Sequence, residues 1–359
     1  MVKLFCVLLK LSFPLRFSST LLVRSKQLLS LNSSCPSSGG PLARDHLSHQ
    51  LTKMNSFSSS TSLYESDIPS LIDASEAISL FQTRRSSIKF LDSSWHMNKD
   101  RKPIEEFHQQ RIVGARYFDI EEISDHNSAL PHMVPSIQHF SEYMSGLGVS
   151  NSDHVIVYTQ PGSFSAARCW WMLRLFGHEK VSILDGGIAS WITLGAPTES
   201  GAVTSQPSVN EVVFNCSYNA KYIATWQQVL SIVNSGSAQI VDVRSRARFL
   251  AQAPEPRPGL PGGHIPGSLN LPFTDLLDAN DVTKFRPVLQ LKETVMHSGI
   301  IFGADLVFSC GSGVTAAVLY FSLHLLGIDM DKLALYDGSW TEWASRPDLP
   351  RVSSSKAEA

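Results

Sequence analysis

The sequence predicts an α/β protein in which two similar halves each fold as a parallel β-sheet flanked by helices. Short apolar runs alternate with segments of helical spacing, and the runs are continuously apolar, as in parallel strands covered on both faces. The same order of segments occurs twice, with landmarks 150, 151 and 152 residues apart at Asp92 and Asp242, Thr159 and Cys310, and Asp185 and Asp337. We therefore predict a tandem duplication.

The first half is expected to occupy residues 68–197. We predict a helix over 70–81, a strand over 88–95 whose end falls at Asp92, and a short helix and a strand within 105–120. A buried strand over 154–159 and a helix over 168–176 closed by Gly177 follow, and the segment 181–191 completes the unit. Thr159 stands where the second half has a cysteine, so this half is expected to be non-catalytic.

The second half is expected to occupy residues 218–350, after a linker over 198–217 that is rich in Ser, Pro and Gly. The same pattern predicts a helix over 225–233, a strand over 239–245, a turn and strand within 262–273, a buried strand over 306–309, and a helix that stops at Gly327.

Cys310 follows the buried strand of the second half and opens a glycine-spaced turn. Gly311 and Gly313 allow backbone angles that other residues avoid, so the turn can point several N–H groups inward. The positive end of the following helix lies behind them and favours the thiolate, which is the nucleophilic form. A buried structural cysteine is the alternative, but the order strand, Cys, Gly-x-Gly, helix favours a reactive thiol.

Composition is that of a globular protein, with 43% hydrophobic and 17% charged residues among 359. A formal net charge of −2 gives no reason to expect nucleic acid as a partner. No apolar run reaches the length of about 18 residues that a membrane span requires, so no membrane partner is expected. We expect a monomer.

The cysteines indicate neither a disulfide framework nor a metal site. The five cysteines are Cys6, Cys35, Cys169, Cys216 and Cys310. They form no CxxC pair and have no metal-ligand spacing, which fits a reducing compartment. Neither glycine turn is a nucleotide fingerprint, so we expect no metal and no organic cofactor. Only Cys310 has a turn that would activate a thiol.

The amino-terminal segment has the composition of a targeting sequence. Residues 1–44 contain no Asp or Glu and carry six Lys or Arg among many serines. We interpret residues 1–62 as a mitochondrial transit peptide and disordered leader, which places the protein in the matrix. A secretory signal is the alternative, although Lys10 interrupts the apolar run. Initiation at Met54 would give a cytoplasmic form.

Over about residues 68–350, the chain resembles the two-domain rhodanese-type sulfurtransferases. The resemblance is carried in the second half by CGSGVTA at 310–316, VDVRSRARF, PEPR, GGHIPGSLNLPFTD and YDGSWTEW, and in the first half by LDSSWHM, FDIEEISD, LPHMVP and LDGGIASW. Each half is therefore expected to be a rhodanese-like domain.

The resemblance implies an activity. Gly311-Ser312-Gly313 after the cysteine is typical of members that take sulfur from 3-mercaptopyruvate, whereas thiosulfate-preferring members have basic residues there. Cys310 would accept the sulfur as a persulfide, pyruvate would leave, and a thiol, cyanide or reduced thioredoxin would be the acceptor.

The resemblance also implies site residues. Arg248 and Arg257 match the family's substrate arginines, and a guanidinium can hold a carboxylate through two parallel bonds. Backbone groups at Gly311, Gly313 and Val314 would cradle the anionic sulfur. Arg244 and Arg246 are expected to be structural or solvent-facing.

A proton relay of Ser312, His132 and Glu121 is implied as well, with the histidine reaching the cleft from the first half. The family usually has Asp where this chain has Glu121, and the longer side chain keeps the charge but not necessarily the distance. A hydrogen-bonded interface histidine is the alternative for His132.

Three other functions remain open at this point. A thiosulfate sulfurtransferase would lack its expected cation, since no Lys or Arg lies between Cys310 and Ala316. A cysteine phosphatase would need an arginine six positions beyond the cysteine, where Ala316 stands. A non-enzymatic sulfur-relay protein is disfavoured by the pair of substrate arginines.

Overall fold

The computed structural model describes residues 68–203 and 212–353, which we call the first half and the second half. The predicted leader over 1–62, Met54 and residues 204–211 of the predicted linker lie outside the described residues.

The first half contains a five-stranded sheet in which every pairing is parallel. Its strand order is β1-β6-β5-β2-β4, and β3 and β7 form a separate antiparallel pair. The strands are β1 (Leu71–Ile72), β2 (Ile88–Asp92), β3 (Arg111–Ile112), β4 (Arg116–Tyr117), β5 (His154–Tyr158), β6 (Val181–Leu184) and β7 (Thr198–Glu199).

The second half repeats this sheet strand for strand. Its order is β10-β9-β11-β12-β8, again with parallel pairings, and each strand occupies the position of its counterpart in the first sheet. The strands are β8 (Ile223–Ala224), β9 (Gln239–Asp242), β10 (Leu269–Asn270), β11 (Leu306–Ser309) and β12 (Leu333–Tyr336). The predicted duplication and the parallel α/β class are confirmed.

Helices cover the sheets of both halves. They are α1 (Ala74–Thr83), α2 (Pro103–Gln109), α3 (Ile137–Gly146), α4 (Ala166–Leu175), α5 (Gly187–Thr193), α6 (Trp226–Ser235), α7 (Arg246–Phe249), α8 (Val288–His297), α9 (Ala316–Leu325) and α10 (Ser339–Ser345). Several begin with side-chain caps; in α6, for example, Thr225 and Gln228 form a reciprocal capping box.

The predicted helix over 70–81 is wrong at its start. Leu71 and Ile72 form β1, paired in parallel with Ile183 and Leu184, and the helix begins only after Asp73. The Asp73 carboxylate accepts a hydrogen bond from the Glu76 N–H, which fixes the helix start at that point. Helices α3 and α8 are not predicted from the sequence.

The largest apolar cluster includes residues of both halves, and each half has a further cluster of its own. Helix α4 of the first half packs against α9 of the second, with Trp170 edge-on to Phe321 at a centroid distance of 4.8 Å. Trp170, Trp171, Trp191 and Trp340 are fully buried. The two sheets are thereby held against each other by packed aromatic side chains.

Equivalent hydrogen bonds join the halves in both directions. Asp185, which follows β6, accepts from the Phe285 N–H of the second half at 3.0 Å. Its counterpart Asp337, which follows β12, accepts from the Val134 N–H of the first half at 2.7 Å. The duplication therefore includes the contacts between the halves as well as the two sheets.

Candidate active site

Cys310 lies at the carboxyl end of β11, the central strand of the second sheet, where parallel sheets commonly place their ligands. Its side chain is buried. The Cys310 N–H donates to Ser339 Oγ at 3.0 Å, and the same hydroxyl lies 4.0 Å from the Cys310 sulfur. The Cys310 carbonyl accepts from the Trp340 N–H, so the cysteine is fixed from both sides.

Of the two glycines that follow Cys310, Gly313 is required by its backbone angle and by close approach. Gly313 has φ of +78°, and a Cβ there would lie 2.9 Å from the Asp337 carbonyl oxygen. A Cβ on Gly311 would lie 3.1 Å from Arg248 Nη2 and 3.9 Å from Arg257 Nη1. The turn therefore curves tightly, and both predicted arginines lie beside it.

The two predicted substrate arginines converge on the Cys310 turn. Arg257 Nη2 donates to Ser312 Oγ at 3.2 Å. Burial lowers the pKa of the Arg257 guanidinium, and the nearby Cys310 opposes that shift. Arg248 also lies beside Gly311 and is held by Glu255, at 2.5 Å. Two guanidinium groups near one thiol form a cationic site suited to a small carboxylate.

Glu255 is a residue that the sequence reasoning missed. Its carboxylate is almost fully buried and lies between Arg248 and Arg244, accepting from both. Arg244 is in turn held by Asp242 at the end of β9 and lies 4.5 Å over the Trp340 ring. Arg244 is therefore structural, one of its two predicted roles, while Arg246 is exposed.

The three residues of the predicted relay lie in contact. His132 of the first half places Nδ1 3.0 Å from Ser312 Oγ and Nε2 3.2 Å from Glu121 Oε1. The contact with His132 lowers the pKa of the Glu121 carboxyl to about 2, so this group is an acceptor only. Nε2 of His132 therefore donates toward Glu121, and Nδ1 lies against the Ser312 hydroxyl.

Trp95 explains how the longer Glu121 reaches the histidine. Its indole Nε1 donates to Glu121 Oε1 at 2.9 Å, and its ring lies edge-on to the His132 ring at 5.1 Å. Lys99 lies 3.9 Å from the same carboxylate, with its side chain 82% exposed. The carboxylate is thus held by a fixed donor from the first half, and the cation beside it is exposed to solvent.

Val314 takes part in a small apolar cluster between the halves. Its side chain packs with Trp95 and Ile120 of the first half, and Phe164 borders the cluster. The predicted role of Val314 in binding sulfur concerns its backbone. The side chain instead packs the Cys310 turn against the first half, which also carries Glu121 and His132.

A buried ion pair lies behind His132, and the sequence reasoning missed it too. Arg168 of α4 pairs with Asp337 at 2.7 Å, and both side chains are buried. The signal was present in the sequence, because Arg168 lies among apolar residues in the first part of α4, and arginines are seldom fully buried.

The corresponding turn of the first half is filled by its own side chains. Gln160, which follows Thr159, donates to Asp92 at 3.0 Å, and Asp92 also accepts from the Ser94 N–H. Burial raises the pKa of Asp92 to about 6. The turn of the first half is thus held by buried hydrogen bonds between an amide and a carboxyl.

The remaining described cysteines lack an activating environment. Burial raises the pKa of the Cys169 thiol well above its usual range and that of Cys216 to about 11. Across residues 68–203 and 212–353 no group of three or more His, Cys, Asp or Glu side chains has a metal-binding arrangement. In the same ranges no helix has the length and apolar character needed to traverse a bilayer.

Comparison with known proteins assigns the family. The rhodanese-like domain model matches the chain twice, over residues 88–194 and 225–346. The chain therefore belongs to the two-domain rhodanese family of sulfur-transferring enzymes.

Relatives are similar over most of their length. The chain is 40% identical over 285 residues to thiosulfate/3-mercaptopyruvate sulfurtransferase 1, mitochondrial, of Arabidopsis thaliana, covering 74% of each chain. It is 44% identical over 252 residues to 3-mercaptopyruvate sulfurtransferase of Escherichia coli, covering 70% of this chain and 86% of the relative. The crystal structure of SseA from Escherichia coli, described as a 3-mercaptopyruvate sulfotransferase, superposes with a TM-score of 0.66 at 36% identity, covering 76% of this chain and 98% of that one.

Proposed function

We propose that this protein transfers the thiol sulfur of 3-mercaptopyruvate to Cys310 and releases pyruvate. The observation that carries the proposal is the convergence of two arginines and a Ser–His–Glu relay on one glycine turn around a buried thiol. A relative named for this donor is 44% identical.

The first step makes one S–S bond and breaks one C–S bond. The Cys310 thiolate attacks the sulfur of the substrate, and the electron pair of the C–S bond passes to carbon as the enolate of pyruvate. The proton of the substrate thiol passes to the enolate carbon, so no other reactant is consumed. Arg248 and Arg257 would hold the substrate carboxylate, and Ser312 with His132 would carry the proton.

The persulfide then needs a nucleophilic acceptor. We assign this role to a thiol, cyanide or reduced thioredoxin, each of which attacks the outer sulfur and returns Cys310 to the thiolate. The outer sulfur would rest against the turn N–H groups of Gly311, Gly313 and Val314, with the amino-terminal end of α9 behind them.

Donor preference tests the proposal directly. Pyruvate release from 3-mercaptopyruvate with a thiol acceptor is measured beside thiocyanate formation from thiosulfate and cyanide, with Cys310→Ser as the blank. We expect strong Cys310-dependent pyruvate release and little thiocyanate, because no Lys or Arg lies between Cys310 and Ala316 to hold a dianion. The reverse preference would overturn the donor assignment. Activity with neither donor, together with a persulfide formed from a protein donor, would establish a sulfur relay.

The location of the protein is also a proposal. A mitochondrial matrix location rests on the acid-free, basic residues 1–44 and on one Arabidopsis relative whose name includes "mitochondrial". A fluorescent protein fused behind residues 1–62 should be directed to mitochondria. The same fusion begun at Met54, which lacks residues 1–53, should stay in the cytoplasm. Secretion of the first fusion would contradict the assignment.

The domain limits 68–197 and 218–350 and the monomeric state are likewise proposed. Limited proteolysis should cut first within the linker over 198–217, and light scattering of the purified protein should give the mass of one chain. Cutting inside either half, or a dimer mass, would contradict these proposals.

A further inference from the structure

Of the described residues that carry a side chain, three have positive φ: His132, Ala251 and Ser339. Two of them contact the Cys310 turn, since His132 reaches Ser312 and Ser339 contacts the cysteine itself. The backbone of His132 has φ of 61°, a conformation that costs free energy because Cβ crowds the neighbouring carbonyl. Something in the surrounding structure must hold it there.

The buried pair of Arg168 and Asp337 holds the backbone immediately after the Cα of His132, from the carbonyl of residue 132 to the N–H of residue 134. Arg168 Nη2 donates to the His132 carbonyl oxygen at 2.6 Å. Asp337 accepts from the Val134 N–H at 2.7 Å, two residues further along the chain. The pair therefore bridges the carbonyl of residue 132 and the N–H of residue 134, and its own separation is 2.7 Å.

The same guanidinium also contacts the Cys310 turn. Arg168 Nη1 lies 3.4 Å from the Gly313 carbonyl oxygen, and the group stacks 4.5 Å from the centre of the Trp171 ring. Arg168 thus joins the strained backbone of His132 in the first half to the turn that carries Ser312 in the second. Arg168 therefore contacts the backbone of both segments whose side chains form the His132–Ser312 hydrogen bond.

The duplication provides an internal comparison. Asp185 accepts from the Phe285 N–H just as Asp337 accepts from the Val134 N–H. Each half therefore contributes an aspartate that accepts from a backbone N–H of the other half. The arginine partner exists once, because Arg168 is the third residue of α4 and the third residue of α9 is Val318. Of these two equivalent positions in the described residues, the one beside Cys310 carries the guanidinium, which argues for a role at Cys310 beyond general stability.

We infer that Arg168 is a positioning residue that acts through His132. It holds residue 132 in the left-handed backbone conformation and so directs the imidazole at Ser312 Oγ. The inference rests on the proposed function for its kinetic test and on geometry alone for its spectroscopic test.

The kinetic test compares Arg168→Met, His132→Asn and the variant carrying both. Arg168→Met should lower kcat with 3-mercaptopyruvate about 10- to 100-fold, in the range of a lost general acid–base group, and change KM by less than about threefold. If Arg168 acts through His132, adding the Arg168→Met replacement to His132→Asn should lower kcat by less than about a further twofold. Effects that multiply in the double variant would overturn the inference.

Two further variants separate positioning from folding. Arg168→Lys keeps the charge but offers one contact in place of the planar fork, so its kcat should lie between those of wild type and Arg168→Met. Leaving Asp337 buried and unpaired destabilises the fold, so Arg168→Met/Asp337→Asn, which removes both charges, is measured as well. It should show the same loss of kcat; recovery of wild-type kcat would overturn the inference.

Arg111→Met is the matched control. Arg111 is a buried arginine of the first half with an acidic partner, Glu199, a carbonyl partner, Gly201, and an aromatic ring beneath it. Its replacement should cost stability without lowering kcat in the folded protein. An equal loss of kcat in this variant would show that the effect of Arg168 is merely structural.

The spectroscopic test does not require activity. In protein labelled with ¹⁵N-histidine, the ring signals of His132, identified by their absence in His132→Asn, should show a proton on Nε2 in the wild type. In Arg168→Met they should move toward a mixture of tautomers. Unchanged signals would overturn the inference even if the enzyme proved inactive with 3-mercaptopyruvate, which by itself would overturn only the proposed function.

Discussion

At the scale of single residues, Glu121 departs from the aspartate usual in the family, yet its carboxylate contacts His132. The extra methylene is accommodated because Trp95 donates to the same oxygen that contacts His132. A hydrogen-bonded carboxylate with a pKa of about 2 is ionised at every pH at which the enzyme would work. In the proposed relay it would stabilise the positive charge that His132 gains on taking a proton.

Glu121→Gln tests the charge. The amide keeps the size and an oxygen for Trp95 but cannot stabilise an imidazolium, so kcat should fall about 10- to 100-fold with KM nearly unchanged. Glu121→Asp keeps the charge on a shorter side chain, so its kcat should fall less than that of Glu121→Gln. Steady-state kinetics with 3-mercaptopyruvate measures both, and full activity of Glu121→Gln would remove the carboxylate from the relay.

Arg248 is expected to bind the substrate carboxylate through its planar fork. Arg248→Lys should raise KM about 10-fold, equivalent to about 1.4 kcal/mol, because an ammonium group cannot make two parallel bonds. Arg246→Lys is the matched control, since Arg246 lies in the same short helix but is exposed. Equal effects of the two replacements would contradict a substrate contact.

At the scale of elements, the parts of the site that could be predicted are those determined by local sequence. The buried strand before Cys310 and the two glycines give the position and shape of the turn, because strand periodicity and glycine conformations are local properties. The start of α1 could not be obtained this way. Leu71 and Ile72 fit a helical pattern equally well, and only pairing with Ile183 and Leu184 makes them a strand.

The supports of the site were not predictable because they depend on contacts distant in sequence. Arg168 and Asp337 are separated by 169 positions, and Trp95 lies 26 positions before Glu121, the residue to which it donates. The contact of His132 with Ser312 was expected from the family resemblance, and no spacing rule would have supplied it. Tertiary packing, rather than local propensity, brings these groups together.

Three histidines that are buried in the folded protein should make its stability sensitive to acid. Burial lowers the pKa of His154 in β5, of His178 after α4 and of His324 in α9 to about 4. As pH falls from 6.5 to 4, the unfolded chain takes up protons that the folded protein does not, so the free energy of unfolding decreases across this window. One such histidine contributes a loss of about 3 kcal/mol below pH 4.

Urea unfolding at several pH values measures this effect. His178→Gln should reduce the loss of stability between pH 6.5 and 4, whereas replacing the exposed His297 in the same way should not. Equal pH slopes in wild type and His178→Gln would contradict the assignment.

At the scale of the whole molecule, the site exists only because the two halves are packed together. The first half supplies His132 and Glu121, and the second supplies Cys310 and the arginines. One core cluster extends across the boundary, with Trp170 against Phe321. We therefore expect the halves to unfold as one cooperative unit.

Fluorine NMR of fluorotryptophan-labelled protein in urea tests this expectation. The signals of Trp191 in the first half and Trp343 in the second, both fully buried, should change at the same urea concentration. Trp170→Ala should cost about 3–5 kcal/mol of unfolding free energy, more than Trp226→Ala on the outer helix α6. Separate transitions for Trp191 and Trp343 would show that the halves are independent.

The central claim is that Cys310 carries sulfur taken from 3-mercaptopyruvate. The most direct measurement is the mass of the intact protein, and of its Cys310 peptide, after one equivalent of 3-mercaptopyruvate is added without an acceptor. We predict the gain of one sulfur atom on Cys310, one pyruvate released for each sulfur gained, and no gain in Cys310→Ser. A sulfur atom on Cys169 or Cys216, or pyruvate release without any sulfur on Cys310, would contradict the account.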